Sequence, residues 1–195
     1  MSVKSGRLHL AAETQGTQII SSGVLGMLLF VLTEVMMFAG LISAFSIIKA
    51  TAIVWPPPGQ PRLPVEETLF NTAALLLSAV FLYRAHGVFK RDRRAASRPF
   101  LIALLLGAFF VAFQGFEWAQ LIAQGLTITS STLGSFFYLI VGLHALHAIA
   151  ALGALVWAWR RLQRGWLADT HFATTQVLWY FVVALWPVIY GVVYL

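Results

Sequence analysis

Cysteine is absent from the 195 residues. That excludes disulfides, thiolate nucleophiles, iron–sulfur clusters, thiolate-bound zinc and covalently attached c-type haem. Charge is scarce as well: 10% of the residues are charged and 59% are hydrophobic, where a soluble domain carries roughly 25% charged and about 45–50% apolar residues. The chain is therefore read as a membrane protein. Seven acidic and thirteen basic residues give a formal charge of +6. The basic residues are too few and too scattered between apolar runs to form a nucleic-acid surface, so no nucleic-acid partner is expected and the excess marks one membrane side. The first eighteen residues are polar and lack an apolar stretch ahead of a small-residue cleavage site, so no cleavable signal peptide is expected.

What is present is a series of five long apolar runs, at about 21–48, 69–86, 99–123, 132–158 and 174–195. Each approaches or exceeds the ~20 residues a transmembrane helix needs, and none alternates with period two as a barrel strand would. The expected fold class is all-α: one transmembrane domain over 1–195, a bundle of five helices preceded by a polar tail at 1–20. The connection from Lys49 to Thr68 is proline-rich (PPPGQPRLP) and reads as an extended surface strap. Small residues crowd the fourth run (Gly142, Ala145, Ala148, Ala151, Gly153, Ala154), as close helix packing requires. Trp55, Trp159 and Trp166 fall near expected interfaces and read as anchors.

Eleven basic residues fall on one side of this arrangement: Lys4 and Arg7 in the tail, six between Arg84 and Arg98, and Arg160, Arg161 and Arg164 after the fourth run. Lys49 and Arg62 alone fall on the other. The positive-inside rule then puts the N-terminus in the cytoplasm and the C-terminus outside.

Four ionisable residues interrupt the apolar runs: Glu34 in the first, Glu117 in the third, His144 and His147 in the fourth. Burying such groups is costly, so each is a candidate functional residue. Glu34 and both histidines lie near mid-run, whereas Glu117 lies nearer the outer face. His144 and His147 are three apart and share a helix face, a spacing that admits metal ligation. However, no glutamate has a histidine three residues on, as a di-metal carboxylate bundle requires, and only one helix supplies histidines for a haem. Structural histidines hydrogen-bonded to a carboxylate, amide or backbone oxygen are the expected reading, with no metal. Gln114, Glu117 and Gln120 place polar groups along part of one helix, and Asn71 and Thr72 open the second run. Interhelical hydrogen bonding explains these most simply. Glu34 has no Lys or Arg within its own run, and a neutral carboxyl there would donate one hydrogen bond to His144 or His147 if the first and fourth helices are neighbours.

Five blocks in order resemble subunit III of the haem-copper respiratory oxidases in its five-helix short form: GMLLFVLTEVMMFAG (26–40), LFNTAALLLS (69–78), FQGFEW (113–118), GSFFYLIVGLHALH (134–147), and the W-x-F-V-x-x-x-W pattern from Trp179 to Trp186. The family's last helix usually reads W-H-F-V-D. Here Tyr180 and Val183 stand in place of its histidine and aspartate, and Pro187 falls inside the final run, where a bend is expected. These departures also suggest the related subunits that accompany nitric oxide reductases. The resemblance implies a non-catalytic accessory subunit of a terminal oxidase in aerobic respiration, resident in the bacterial cytoplasmic membrane. It would have no redox centre of its own; haem and copper would lie in partner subunits, and bound phospholipid would be expected. The implied partners are subunit I in direct contact, subunit II and a small subunit IV. In this reading the chain supports the stability and proton uptake of subunit I. Two competing readings are an independent proton-coupled transporter and a membrane metalloenzyme built on Glu34, Glu117, His144 and His147.

Overall fold

The computed structural model describes residues 21–195, so the expected polar tail lies outside the described residues. Five helices follow in order: α1 (Ser22–Thr51), α2 (Val65–Phe89), α3 (Ser97–Ala123), α4 (Thr132–Gln163) and α5 (Asp169–Ile189). All five are long and apolar enough to cross a membrane, and the described residues contain no strand. Several helices outrun the apolar runs read from sequence. α2 starts four residues earlier and α4 continues through Arg160 and Arg161, because a helix need not stop where the hydrocarbon does and long basic side chains reach the interface while their backbone stays helical.

The boundaries have local causes. Ser131 precedes α4 in extended conformation, and its hydroxyl accepts the Gly134 amide at 3.0 Å, meeting one of the donors a helix start leaves unpaired. α3 and α4 end alike. Gly125 (φ 93°) and Gly165 (φ 74°) turn the chain in the left-handed region, and the next residues donate back five positions, Leu126 to Leu121 O and Trp166 to Arg161 O, both at 2.9 Å. This is the Schellman arrangement, and glycine makes its positive φ inexpensive.

α5 changes character at Pro187. The proline has no amide to donate, and three residues later the chain passes into a π-helical turn, Tyr190–Tyr194. The expected disturbance of the last helix is thus a change of hydrogen-bond register, and it carries Tyr190 and Tyr194 into the core, 8% and 6% exposed.

α5 is the central element, packing on α1, α2 and α4, while α2 and α3 form the most extensive helix pair. The α2–α5 seam is stitched by tryptophan: Trp179 Nε1 donates to Ser78 Oγ at 3.1 Å and Trp186 Nε1 to Thr72 Oγ1 at 2.8 Å. Both indoles are fully buried, so each N–H needs such a partner. Trp179 fits because position 107 on α3 has no side chain. A Cβ there would lie 2.6 Å from the indole Cη2. α1 is the exception to this close packing. Only Phe38 and Phe45 of its thirty residues are buried, and its neighbours are α5 and, to a smaller extent, α4.

Candidate functional site

The structure sorts the polar residues singled out by sequence into two clusters. The first joins α1 to α4 near mid-helix. His147 Nε2 lies 3.2 Å from Glu34 Oε2, with both side chains about 15% exposed (15% and 16%). The approach is within ion-pair distance, but its alignment falls outside a hydrogen bond. On the other side of the ring, Nδ1 sits 2.7 Å from Leu143 O. A carbonyl can only accept, so Nδ1 carries a hydrogen and Nε2 is either a bare lone pair or the site of a second proton.

His144 does not join this pair. It is 1% exposed and neither ring nitrogen has a hydrogen-bond partner, which corrects the expectation that both histidines are hydrogen-bonded. Aromatic packing holds it instead. Its ring lies 5.0 Å from that of Trp186, and the rings of Phe38 and Phe110 approach edgewise at 6.5 Å. Although 144 and 147 share a face, one ring turns toward α5 and the other toward α1, and only Phe38 touches both. Phe110, Gln114, Trp118, His144 and Trp186 wall a cavity of about 230 Å³ between α3 and α4, fronted by apolar atoms.

The second cluster lies toward the end of the bundle away from the basic loops and centres on Glu117, 1% exposed. Gln114 Nε2 donates to Glu117 Oε2 at 2.8 Å and also reaches Tyr194 OH at 3.2 Å. Thr68 Oγ1 stands 3.1 Å from both carboxyl oxygens and 2.7 Å from Pro64 O, so its single hydrogen is shared between α2's own first turn and α3. Asn71 Nδ2 donates to Phe110 O at 3.2 Å, which fixes α2 against α3 one turn deeper. Sequence reasoning found Glu117, Gln114 and Asn71 but missed Thr68 and Tyr194. Thr68 lay one residue outside the expected start of its helix, and Tyr194 enters the cluster only through the π-turn. Gln120 stays outside the network and lines a polar cavity with Glu117, Glu67 and Arg62.

No hydrogen bond among the described residues links the two clusters; Phe38, Phe110, His144 and Trp186 lie between them as an aromatic layer. A proton wire crossing the membrane needs a continuous polar chain, which this layer interrupts. Among the described residues there is also no group of three or more His, Asp or Glu placed to hold a metal ion. The arrangement suits helix bracing.

The family model for Cytochrome c oxidase subunit III matches residues 9–195. The chain belongs to that family. The Petromyzon marinus cytochrome c oxidase subunit 3 is 33% identical over 179 residues, covering 87% of this chain and 67% of that protein. A probable cytochrome c oxidase subunit 3 of Nocardia farcinica is 33% identical over 175 residues, covering 87% and 85%. The Mammuthus primigenius subunit 3 is 33% identical over 189 residues, covering 91% and 71%. As a subunit III, the chain is an accessory component of an oxidase complex and a multi-pass membrane protein. Tyr180, which stands where the family resemblance expects a histidine, pairs with Gln176 Nε2 at 3.2 Å, and Val183, in place of the aspartate, is 5% exposed in the core. α5 thus carries a polar pair at positions 176 and 180 and an apolar residue at 183.

Proposed function

We propose that this subunit III packs on the catalytic subunit I of a haem-copper terminal oxidase in a bacterial cytoplasmic membrane, with subunit II and a small subunit IV in the same complex. Haem and copper belong to those partners, and oxygen is reduced there. The role assigned to this chain is to brace subunit I beside its proton-uptake entrance, with its N-terminus in the cytoplasm and phospholipid bound to the assembled subunit. The observation that carries the reading is the Glu34–His147 contact on α1, the helix with the least cover from the rest of the bundle. The sparsely covered α1 leaves an apolar face open to a partner subunit, and the Glu34–His147 contact pins that helix to α4. No polar chain extends from the contact, so the structural role outweighs proton relay.

Glu34→Gln tests this. The substitution preserves shape and one amide donor while removing the titrating proton. The expected complex assembles, keeps its haem spectrum and couples oxygen reduction to proton uptake at near wild-type efficiency. Normal assembly with most of the proton uptake lost would overturn the structural reading in favour of a proton buffer.

A further inference from the structure

Among the described residues, the end of the bundle away from the basic loops holds two cations, Lys49 and Arg62, and both line one cavity of about 500 Å³. The cavity sits beneath the proline-rich strap, between the last turn of α1, the start of α4 and the π-turn. Its rim is cationic, and its floor is apolar, from Leu63, Val65, Leu133 and Val193. Trp55 fixes the strap against α1 through an edge-on contact with Phe45, ring centroids 5.6 Å apart.

Neither cation is neutralised within the cavity. Among the described residues Lys49 Nζ makes one hydrogen bond, to Val192 O at 3.4 Å, where an ammonium has three donors. Arg62 meets Glu66 at 3.3 Å, but both side chains of that pair are about 80% exposed (81% and 79%), where an ion pair contributes little and water competes for the guanidinium. Leu195 also lines the cavity. Glu67 and Glu117 face a second, polar cavity on the other side of Pro64, whose edge Arg62 also lines.

We propose that this cavity binds the phosphodiester headgroup of an anionic phospholipid, with Lys49 and Arg62 on the phosphate and the apolar floor under the glycerol and first acyl carbons. The shared chemistry is a phosphate oxygen accepting from ammonium and guanidinium, which a free phosphate would also offer. The apolar floor favours the lipid, because a bare phosphate would gain nothing from Leu63, Val65, Leu133 and Val193 while losing water there. The proposal rests on the reading that the assembled subunit carries phospholipid, and it names where.

The test is native mass spectrometry of the intact oxidase complex in mild detergent, followed by titration with phosphatidylglycerol in mixed micelles. A basic side chain near a membrane surface contributes enough that its loss weakens anionic-lipid binding about fivefold. Lys49→Gln or Arg62→Gln should each lower apparent affinity by about that factor, and the double variant by about 30-fold, while Lys49→Arg should retain most of the binding. If Lys49→Gln disturbs assembly through the lost Val192 contact, the exposed Arg62→Gln supplies the readout alone. Phosphatidylglycerol bound equally by wild type and the double variant would overturn this site while leaving bound lipid intact. A wild-type complex that carries no phospholipid would overturn the underlying reading as well. Displacement of the lipid by millimolar inorganic phosphate would identify an anion site and overturn the lipid assignment.

Discussion

Replacing Gly107 with alanine adds one methyl group to α3 where Trp179 Cη2 and Cζ2 would stand 2.6 and 2.7 Å from it, with Leu152 Cδ1 at 3.4 Å. Carbon atoms rest about 3.5–4.0 Å apart, so the indole would have to retreat by roughly 1 Å. It has nowhere to go: Trp179 is 0% exposed, and its Nε1 is tied to Ser78 on α2. Overpacking of a filled core costs about 1–3 kcal/mol, and loss of an interhelical hydrogen bond within a membrane adds about 0.6 kcal/mol. Against this, alanine gains up to about 1 kcal/mol over glycine in helix propensity. The clash wins, and Gly107→Ala is expected to destabilise the bundle by about 1–2 kcal/mol. Gly153→Ala is the control, since no atom beyond its own helix lies within 4 Å of a Cβ at that position and only the propensity gain remains. Thermal unfolding of the purified complex, read by tryptophan fluorescence, compares the two. Trp179→Phe removes the two clashing carbons, so the double variant with Gly107→Ala should show a favourable coupling energy of about 1 kcal/mol or more. Equal stability of Gly107→Ala and Gly153→Ala, or a coupling energy of zero, would refute the reasoning.

Other expectations are briefer. A cysteine introduced among residues 90–94 should be labelled by membrane-impermeant reagents in inverted vesicles and protected in intact cells; labelling from outside would reverse the topology. His147→Ala leaves Glu34 without its neighbour inside the membrane, so assembled complex should fall several-fold while the haem spectrum of what assembles stays unchanged, as absorption spectroscopy of purified complex would show. His144→Phe exchanges an imidazole lacking hydrogen-bond partners for a ring that keeps the contacts with Trp186, Phe38 and Phe110; it should be tolerated within about 1.5 kcal/mol, and a shifted haem band would revive a ligand role. Glu117→Leu strips Thr68 and Gln114 of a shared acceptor and should cost about 1–2 kcal/mol in thermal unfolding, whereas Glu117→Gln, which keeps an acceptor oxygen, should cost less than half of that.

How much of this is visible in the amino-acid sequence depends on the physical origin of each feature. Five helices follow from hydropathy, because an apolar run of about twenty residues has few alternatives in a bilayer. Their ends do not, since α2 begins at Val65 and α4 ends at Gln163 through backbone turns and interfacial side chains that carry little hydropathy signal. The approach of Glu34 to a histidine of α4 is legible from equal depth. That His147 is the partner, and that His144 has no hydrogen bond, depends on helix rotation, which sequence leaves open when α1 is apolar all round. The cluster around Glu117 was half legible. Thr68 reads as a boundary residue and Tyr194 as a terminal aromatic, and only the register change after Pro187 turns Tyr194 toward Gln114. Gly107 gave no sign at all, because a glycine in an apolar run has many uses and its fitting partner, Trp179, lies two helices away in sequence.

The sparse cover of α1 has a consequence for biogenesis. α1 precedes every other described helix during translation, and the helix it leans on most, α5, is the last of the described helices to be made. At the usual pace of synthesis, on the order of ten seconds separate the two. Throughout that interval Glu34 is in the lipid with no imidazole beside it, and His147 reaches the bilayer only when α4 does. A chain arrested before α4 therefore holds Glu34 without its histidine neighbour and should be cleared by membrane proteases faster than one arrested after α4.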